Sequence, residues 1–202
     1  NGETDILVGT QMVTKGLDFD RVSLVGVFNA DRMMHFPDFR SYERAYQLIT
    51  QVSGRAGRRA RQGHVVIQTS NPSHPVLNFI LKNSFETFYE TELADRHRHD
   101  YPPFTRLIEI TMKHTDKRVC QDASRRLATQ LREQLTQVRI MGPGEPMISR
   151  IRNQYLMTIL VKIPRGKTDL PHIKEQIQND INILSQGKVF RNAGFIVDVD
   201  PV

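Results

Sequence analysis

The chain is 202 residues long, 39% hydrophobic and 25% charged, proportions that predict packed cores in one large domain or two small ones. A formal net charge of +6 leans towards polyanionic partners such as nucleic acid, while the single cysteine, Cys120, excludes an intramolecular disulfide and a cysteine-based metal cage within the chain. No apolar run approaches the ~18–20 residues that span a bilayer and no signal peptide is visible, so a cytosolic protein without membrane attachment is expected.

The sequence begins NGETDILVGT, without an initiator methionine, and reads as a fragment of a longer protein. Up to about residue 72, strands and helices alternate. ILVG (6–9), VSLVGVF (22–28) and HVVIQT (64–69) are short, continuous Val/Ile/Leu runs of the kind found in parallel strands covered on both faces. Between the last two lies SYERAYQLITQVSGRAGRRA, with Ala45, Leu48, Ile49 and Val52 at helical spacing, so the order strand, helix, strand predicts an α/β layer. A connector over 73–101 opens with turn chemistry at Asn71-Pro72 and His74-Pro75, carries two helices, and stops at Pro102-Pro103, which cannot continue a helix. Its Arg96, His97, Arg98, His99 cluster reads as a solvated helix end, because the interleaved arginines repel a metal cation.

The remainder, 102–202, has its own rhythm. TRLIEITMKH (105–114) reads as a half-exposed strand, and DKRVCQDASRRLATQLREQL (116–135) places Val119, Ala123, Leu127, Leu131 and Leu135 on one helical face, with Cys120 as a small buried side chain. Strands follow at 138–147 and 153–163, then a helix over 170–184 with Ile173, Ile177, Ile181 and Leu184 in register, and a closing strand at 194–201. The order βαββαβ is that of a ferredoxin-like sandwich, α+β in class.

Two stretches carry chemistry. In Q51-V-S-G-R-A-G-R58, arginines and glycines alternate; guanidinium groups donate paired bonds to phosphate oxygens, and Gly54 and Gly57 permit close backbone approach or unusual dihedrals. An Arg58 that reached a γ-phosphate would stabilise the charge developing there on hydrolysis. In V8-G-T-Q-M-V-T-K-G-L-D-F19, Thr10, Gln11, Lys15 and Gly16 follow a predicted strand and so lie at the carboxyl edge of the sheet, where open α/β sheets bind ligands. There Lys15 and Gly16 are placed to touch phosphate, and Asp18 to orient an arginine or a water.

GTQMVTKGLDF resembles motif V, and QVSGRAGRRA motif VI, of superfamily 2 helicases. With ADRMMHFPDFRSYERAYQL, DYPPF and the terminal VDVDP, the whole chain resembles the bacterial replication-restart helicases of the primosomal protein N′ family. The resemblance implies that residues 1–72 are most of a second RecA-like helicase lobe, truncated at its first strands, and that 102–202 is the family's C-terminal domain. It implies a parent enzyme that unwinds DNA 3′ to 5′ at the expense of ATP and prepares abandoned forks for restart. Its partners would be forked and single-stranded DNA, single-stranded-DNA-binding protein and other primosome proteins. By position, Gln51 and Arg55 would face the nucleotide cleft and Arg58 would be the arginine finger; Thr10 and Gln11 would lie near the DNA backbone; Gly16 and Asp18 would couple DNA contacts to the nucleotide. Lys15 sits in the same motif without a single assigned role.

The sequence holds no GxxxxGK[ST] phosphate loop and no DExH-like acidic motif. ATP and Mg are therefore expected to act in the parent, zinc through a cysteine-rich insertion upstream, and no cofactor in this chain, which is expected to lack ATPase activity alone. The C-terminal half offers basic residues with aromatic company, Arg150, Arg152, Tyr155, Lys162, Arg165, Lys167 and Lys188; Arg150 and Arg152, projecting from one face of a strand entering at 148–155, form with Tyr155 a DNA-contacting set, a solvated basic rim being the competing reading. The loop IPRGK supplies Arg165 and Lys167 as a cradle for an acidic partner tail; a plain strand-to-helix turn is the competing reading. Missing early strands would expose an apolar sheet edge and favour self-association. A stand-alone nucleic-acid- or protein-binding module, or another superfamily 2 helicase such as a branch-migration enzyme, are the alternatives.

Overall fold

The computed structural model describes residues 5–10, 22–54, 56, 63–166 and 168–201, in two compact units, 1–95 and 96–202. In the first, strands β1 (Leu24–Val27) and β2 (His64–Ile67) pair in parallel, with Leu24 opposite His64 and Val27 opposite Ile67. Parallel pairing requires a crossover, and helices α1 (Ala30–Met34) and α2 (Ser41–Ser53) lie within it. Helix α3 (Pro75–Leu81) and helix α4 (Phe85–Arg98) follow β2. Ala45 and Ile49 of α2, both fully buried, pack with Met34, Val76, Leu77 and Phe88, and the Tyr46 and Phe88 rings stack 4.3 Å apart. The 3.6-residue periodicity of SYERAYQLI thus becomes the apolar stripe of α2.

Two expectations for this unit are corrected. Residues 6–9 form no strand: no described residue pairs with them, and Ile6 and Val8 are more than 80% exposed. An apolar tetrapeptide becomes a strand only when a neighbour takes up its N–H and C=O groups. Nor are β1 and β2 covered on both faces among the described residues. Val25, Val27, Val65 and Ile67 are half-buried, whereas Leu24 and Val66 on the other face are exposed. The continuous apolar run hid a strand with one covered face.

The second unit is built on an antiparallel sheet. Its strands are β3 (Thr105–His114), β4 (Arg139–Gly144), β5 (Arg150–Ile151), β6 (Gln154–Pro164) and β7 (Gly194–Val199), in the order β4-β6-β3-β7, with β5 paired to the start of β6. Helices α5 (Lys117–Gln134) and α6 (Leu170–Gln186) are capped by Asp116, which accepts from the Arg118 N–H at 2.8 Å, and by Asp169, which accepts from the His172 N–H at 3.2 Å. Ile108, Ile110 and Met112 of β3 and Met157, Ile159, Val161 and Ile163 of β6 face these helices. Leu127 and Leu131 of α5 and Ile173 and Ile177 of α6 fill the space opposite. Period 2 on the strands and period 3.6 on the helices meet in one core. Cys120 lies in it, with its Sγ 3.4 Å from the Tyr155 carbonyl oxygen, and burial pushes the thiol up.

Strand β3 is less exposed than alternation suggested, because Leu107, on the face away from the helices, is buried too. Its N–H donates to Asp200 Oδ1 at 3.2 Å and the Asp200 N–H donates back to the Leu107 oxygen at 2.8 Å, so the terminal VDVDP closes the β3–β7 ladder. Gly142 has φ +90, and a Cβ there would sit 2.8 Å from the Thr158 oxygen; only glycine passes this irregularity between Met141 and Gly144. Asp180 is buried between the helices, with Gln176 donating to it at 3.2 Å; burial raises its carboxyl pKa, against the amide hydrogen bonds that lower it.

Candidate functional site

The arginine–glycine stretch begins in the last turn of α2. Gln51 is exposed there, the Ser53 hydroxyl donates to the Ile49 oxygen at 2.6 Å, and the Gly54 N–H donates to the Thr50 oxygen at 3.0 Å. Gly54 has φ −66 and ψ −3, ordinary right-handed backbone, and a Cβ would meet nothing closer than 3.6 Å. It is therefore not held in an unusual dihedral. Thr10 is exposed; Gln11, Lys15, Gly16, Asp18, Arg55, Arg58 and Lys167 lie outside the described residues.

At the carboxyl end of β1 and β2 is a polar cluster that motif reading missed. Asp31 accepts from Thr69 Oγ1 at 2.7 Å, the Ser70 N–H at 2.7 Å and Ser70 Oγ at 3.0 Å. These bonds, the Ser70 N–H first, hold its carboxyl below the usual range. Asp38 binds Arg44 at 2.8 Å and accepts from the Arg40 N–H at 2.9 Å, so DFRSYER folds as a locked turn into α2. A carboxylate followed by an arginine six residues later was the available signal.

Beside it, His74 is buried and caps α3: its Nδ1 accepts from the Val76 N–H at 3.3 Å. Its ring lies edge-on to Tyr42 at 5.2 Å and to His35 at 6.4 Å. Burial, with His35 second, lowers its pKa against the attraction of Asp31. A lowered histidine pKa means that the folded state prefers the neutral ring. Its stabilisation is complete above the unfolded value near 6.5 and is lost as pH falls through the folded value. His74→Asn, which caps without titrating, is expected to retain more of its neutral-pH stability at pH 5 than the native chain does. Parallel thermal melts at pH 7 and pH 5 would check this; equal losses in both proteins would refute it.

In the second unit the structure alters the basic set. Lys162 is 2% exposed, donates to the His99 oxygen at 2.7 Å and lies 3.4 Å from the Tyr101 ring centroid. Burial and the nearby Arg139 lower its pKa, Asp100 opposing. It joins the 99–101 segment to the sheet and is closed to phosphate. His97 packs edge-on against Phe104 at 4.7 Å, and Arg96 Nη1 donates to the Pro102 oxygen at 3.5 Å.

Arg150 and Arg152 do not project from one strand face. Arg152 and Asn153 have φ 47 and 63, the left-handed pair of a two-residue hairpin turn, so strand alternation stops at Ile151. Arg150 lies directly across from Tyr155, stacks on its ring at 4.9 Å and bonds the Asn153 side chain. Arg152 stands exposed at the turn, with Met147, Ile148 and Ile151 exposed on the approach. Residues 146–168 contain no acid. Arg165 is exposed beyond β6, its N–H bonded to the Phe104 oxygen at 3.2 Å, before Gly166 at φ +93.

Residues 1–60 match the family "Helicase conserved C-terminal domain", and residues 97–202, over half of the chain, match "Primosomal protein N C-terminal domain". The chain belongs to the PriA replication restart protein family. Replication restart protein PriA of Bacillus subtilis is 40% identical over 185 residues, 88% of this chain and 23% of that protein. The Synechocystis protein of the same name is 43% identical over 164 residues, 81% and 20% of the two chains. That of Chlamydia pneumoniae is 35% identical over 207 residues, 100% and 26%. The chain thus spans about a quarter of the length of the curated relatives it matches. No described helix is long and apolar enough to cross a membrane.

Proposed function

We propose that the chain is the C-terminal portion of an ATP-dependent 3′-to-5′ DNA helicase that recognises abandoned replication forks and starts primosome assembly. The observation that carries this reading is the succession, in one chain, of a helicase C-terminal match and a primosomal C-terminal match. In it, 1–72 belong to a second RecA-like lobe, 73–101 are a helical connector, and 102–202 form a ferredoxin-like domain. The sheet order β4-β6-β3-β7 supports the last assignment, since it places the first strand of βαββαβ beside the third and fourth.

In the whole protein Arg58 reaches the γ-phosphate of ATP, with Gln51 and Arg55 beside it; Thr10, Gln11 and Lys15 lie along the DNA, and Gly16 and Asp18 couple the two sites. ATP and Mg belong to a lobe that carries the phosphate loop, so this chain alone does not hydrolyse ATP. Zinc belongs to a cysteine-rich insertion upstream in the parent. Arg165 and Lys167 are the contact for the acidic tail of single-stranded-DNA-binding protein in this reading.

Within this chain the hairpin Arg150–Tyr155 makes the fork contact, phosphate going to the two arginines and the exposed aliphatic approach lying against unstacked bases. Fluorescence anisotropy against forked, duplex and single-stranded DNA over a salt series tests it. Forks are expected to bind tightest. Arg150→Ala with Arg152→Ala is expected to remove that preference and lower the salt slope by about 0.9 for each duplex phosphate no longer neutralised. Undiminished fork preference in the double variant would place recognition elsewhere.

A further inference from the structure

A second basic feature lies on the helical layer of the same unit. The C-terminal half of α5 and the end of α6, with the turn that follows, enclose an open groove of about 630 Å³. Arg125 and Arg126 of α5 and Lys188 of the turn line it, all exposed, and no acidic residue does. Asp122 stands 3.8 Å from Arg125, one turn back along α5. The Arg126 guanidinium lies over the Phe190 ring at 5.2 Å; Phe190 is itself buried, so the outer face of that cation is left as a planar surface. Ile183 and Val189, 59% and 67% exposed, supply an apolar margin. Gln130 lines the groove too, and its Oε1 is buried with no hydrogen-bond donor among the described residues.

These features specify a ligand with two properties. It carries repeated negative charge, for three cations without a lining acid. It has a flat or apolar body, for the guanidinium face and the aliphatic margin. Duplex DNA presents phosphates to such a groove but keeps its bases paired. An acidic peptide supplies charge and backbone N–H groups but no planar group for Arg126. We infer that the groove between α5 and α6 binds single-stranded nucleic acid, phosphates against Arg125 and Lys188 and an unpaired base against Arg126. It shares no residue with the hairpin, and the two are tested separately.

The probe is a labelled 20-residue thymidine oligonucleotide, titrated into the full chain over a salt series. Arg125→Ala with Lys188→Ala is expected to weaken binding about tenfold at low salt and to reduce the salt slope by about 0.7 for each phosphate no longer neutralised. Arg150→Ala with Arg152→Ala should weaken binding of forks more than binding of the single strand. An abasic oligonucleotide of equal length should bind the native chain several-fold more weakly, and Arg126→Ala should narrow that gap. All these side chains are exposed, and matching thermal melts establish that the variants fold. Native affinity in the groove variant, or equal binding of the abasic strand, would overturn the assignment. So would displacement of a groove-bound probe by an oligoglutamate peptide but not by unlabelled oligonucleotide.

Discussion

In a protein that joins this chain to a phosphate-loop lobe, Arg58→Ala is expected to reduce DNA-stimulated ATP hydrolysis about a thousandfold and to abolish unwinding, while ATP still binds. The magnitude is that of an arginine finger, whose guanidinium meets charge that develops on the transferred phosphoryl group only as the bond breaks. Ground-state affinity is therefore spared and turnover is not. Arg58→Lys should recover little, because a point charge on a flexible stem does not reproduce the planar fork. Hydrolysis, nucleotide affinity and strand separation, measured together, discriminate the roles. Loss of affinity with unchanged turnover would make Arg58 a binding residue, and turnover within threefold of native would remove it from the chemistry.

The two units were not equally legible in the sequence. In the second, alternating Ile108, Ile110 and Met112 and the helical spacing of Ala123, Leu127 and Leu131 are local signals that pointed to the same core the structure forms. What escaped was the behaviour of charged groups, because a sequence does not say which loop folds over which strand. Lys162 occupies a strand position that would be solvated but for Tyr101 and the His99 oxygen, some sixty residues earlier. Arg152 looked like the next strand residue; its φ of 47 follows from pairing between Ile151 and Gln154, which composition does not encode. In the first unit, the apolar run at 6–9 carried strand propensity without a described partner, and propensity alone does not make a sheet. The motif residues were recognisable by resemblance. The Asp31 and Asp38 locks between them were not, since each joins a common acid to groups identified only by the fold.

The core of the antiparallel unit sets the other large expectation. Leu127 is fully buried in α5, and Ile183 on α6 is 59% exposed at the rim of the groove. Truncating both to alanine removes the same number of carbons from sites of opposite environment. Leu127→Ala loses the transfer free energy of its side chain and leaves a cavity bounded by helix and sheet, about 3 kcal/mol in sum. For a unit of about 100 residues that corresponds to a fall in Tm of about 15 °C. Ile183→Ala, which opens no cavity, should cost less than about 0.5 kcal/mol. The pair separates folding from binding. Leu127→Ala, assayed well below its transition, should bind DNA like the native chain, whereas Ile183→Ala should keep its stability and weaken the single-stranded oligonucleotide at the groove. Calorimetry with the same salt titration reads both. Equal thermal shifts would mean that the α5–α6 core is not the stabilising element of the unit. Unchanged single-strand affinity in Ile183→Ala would remove the aliphatic margin from the groove's contact with the base.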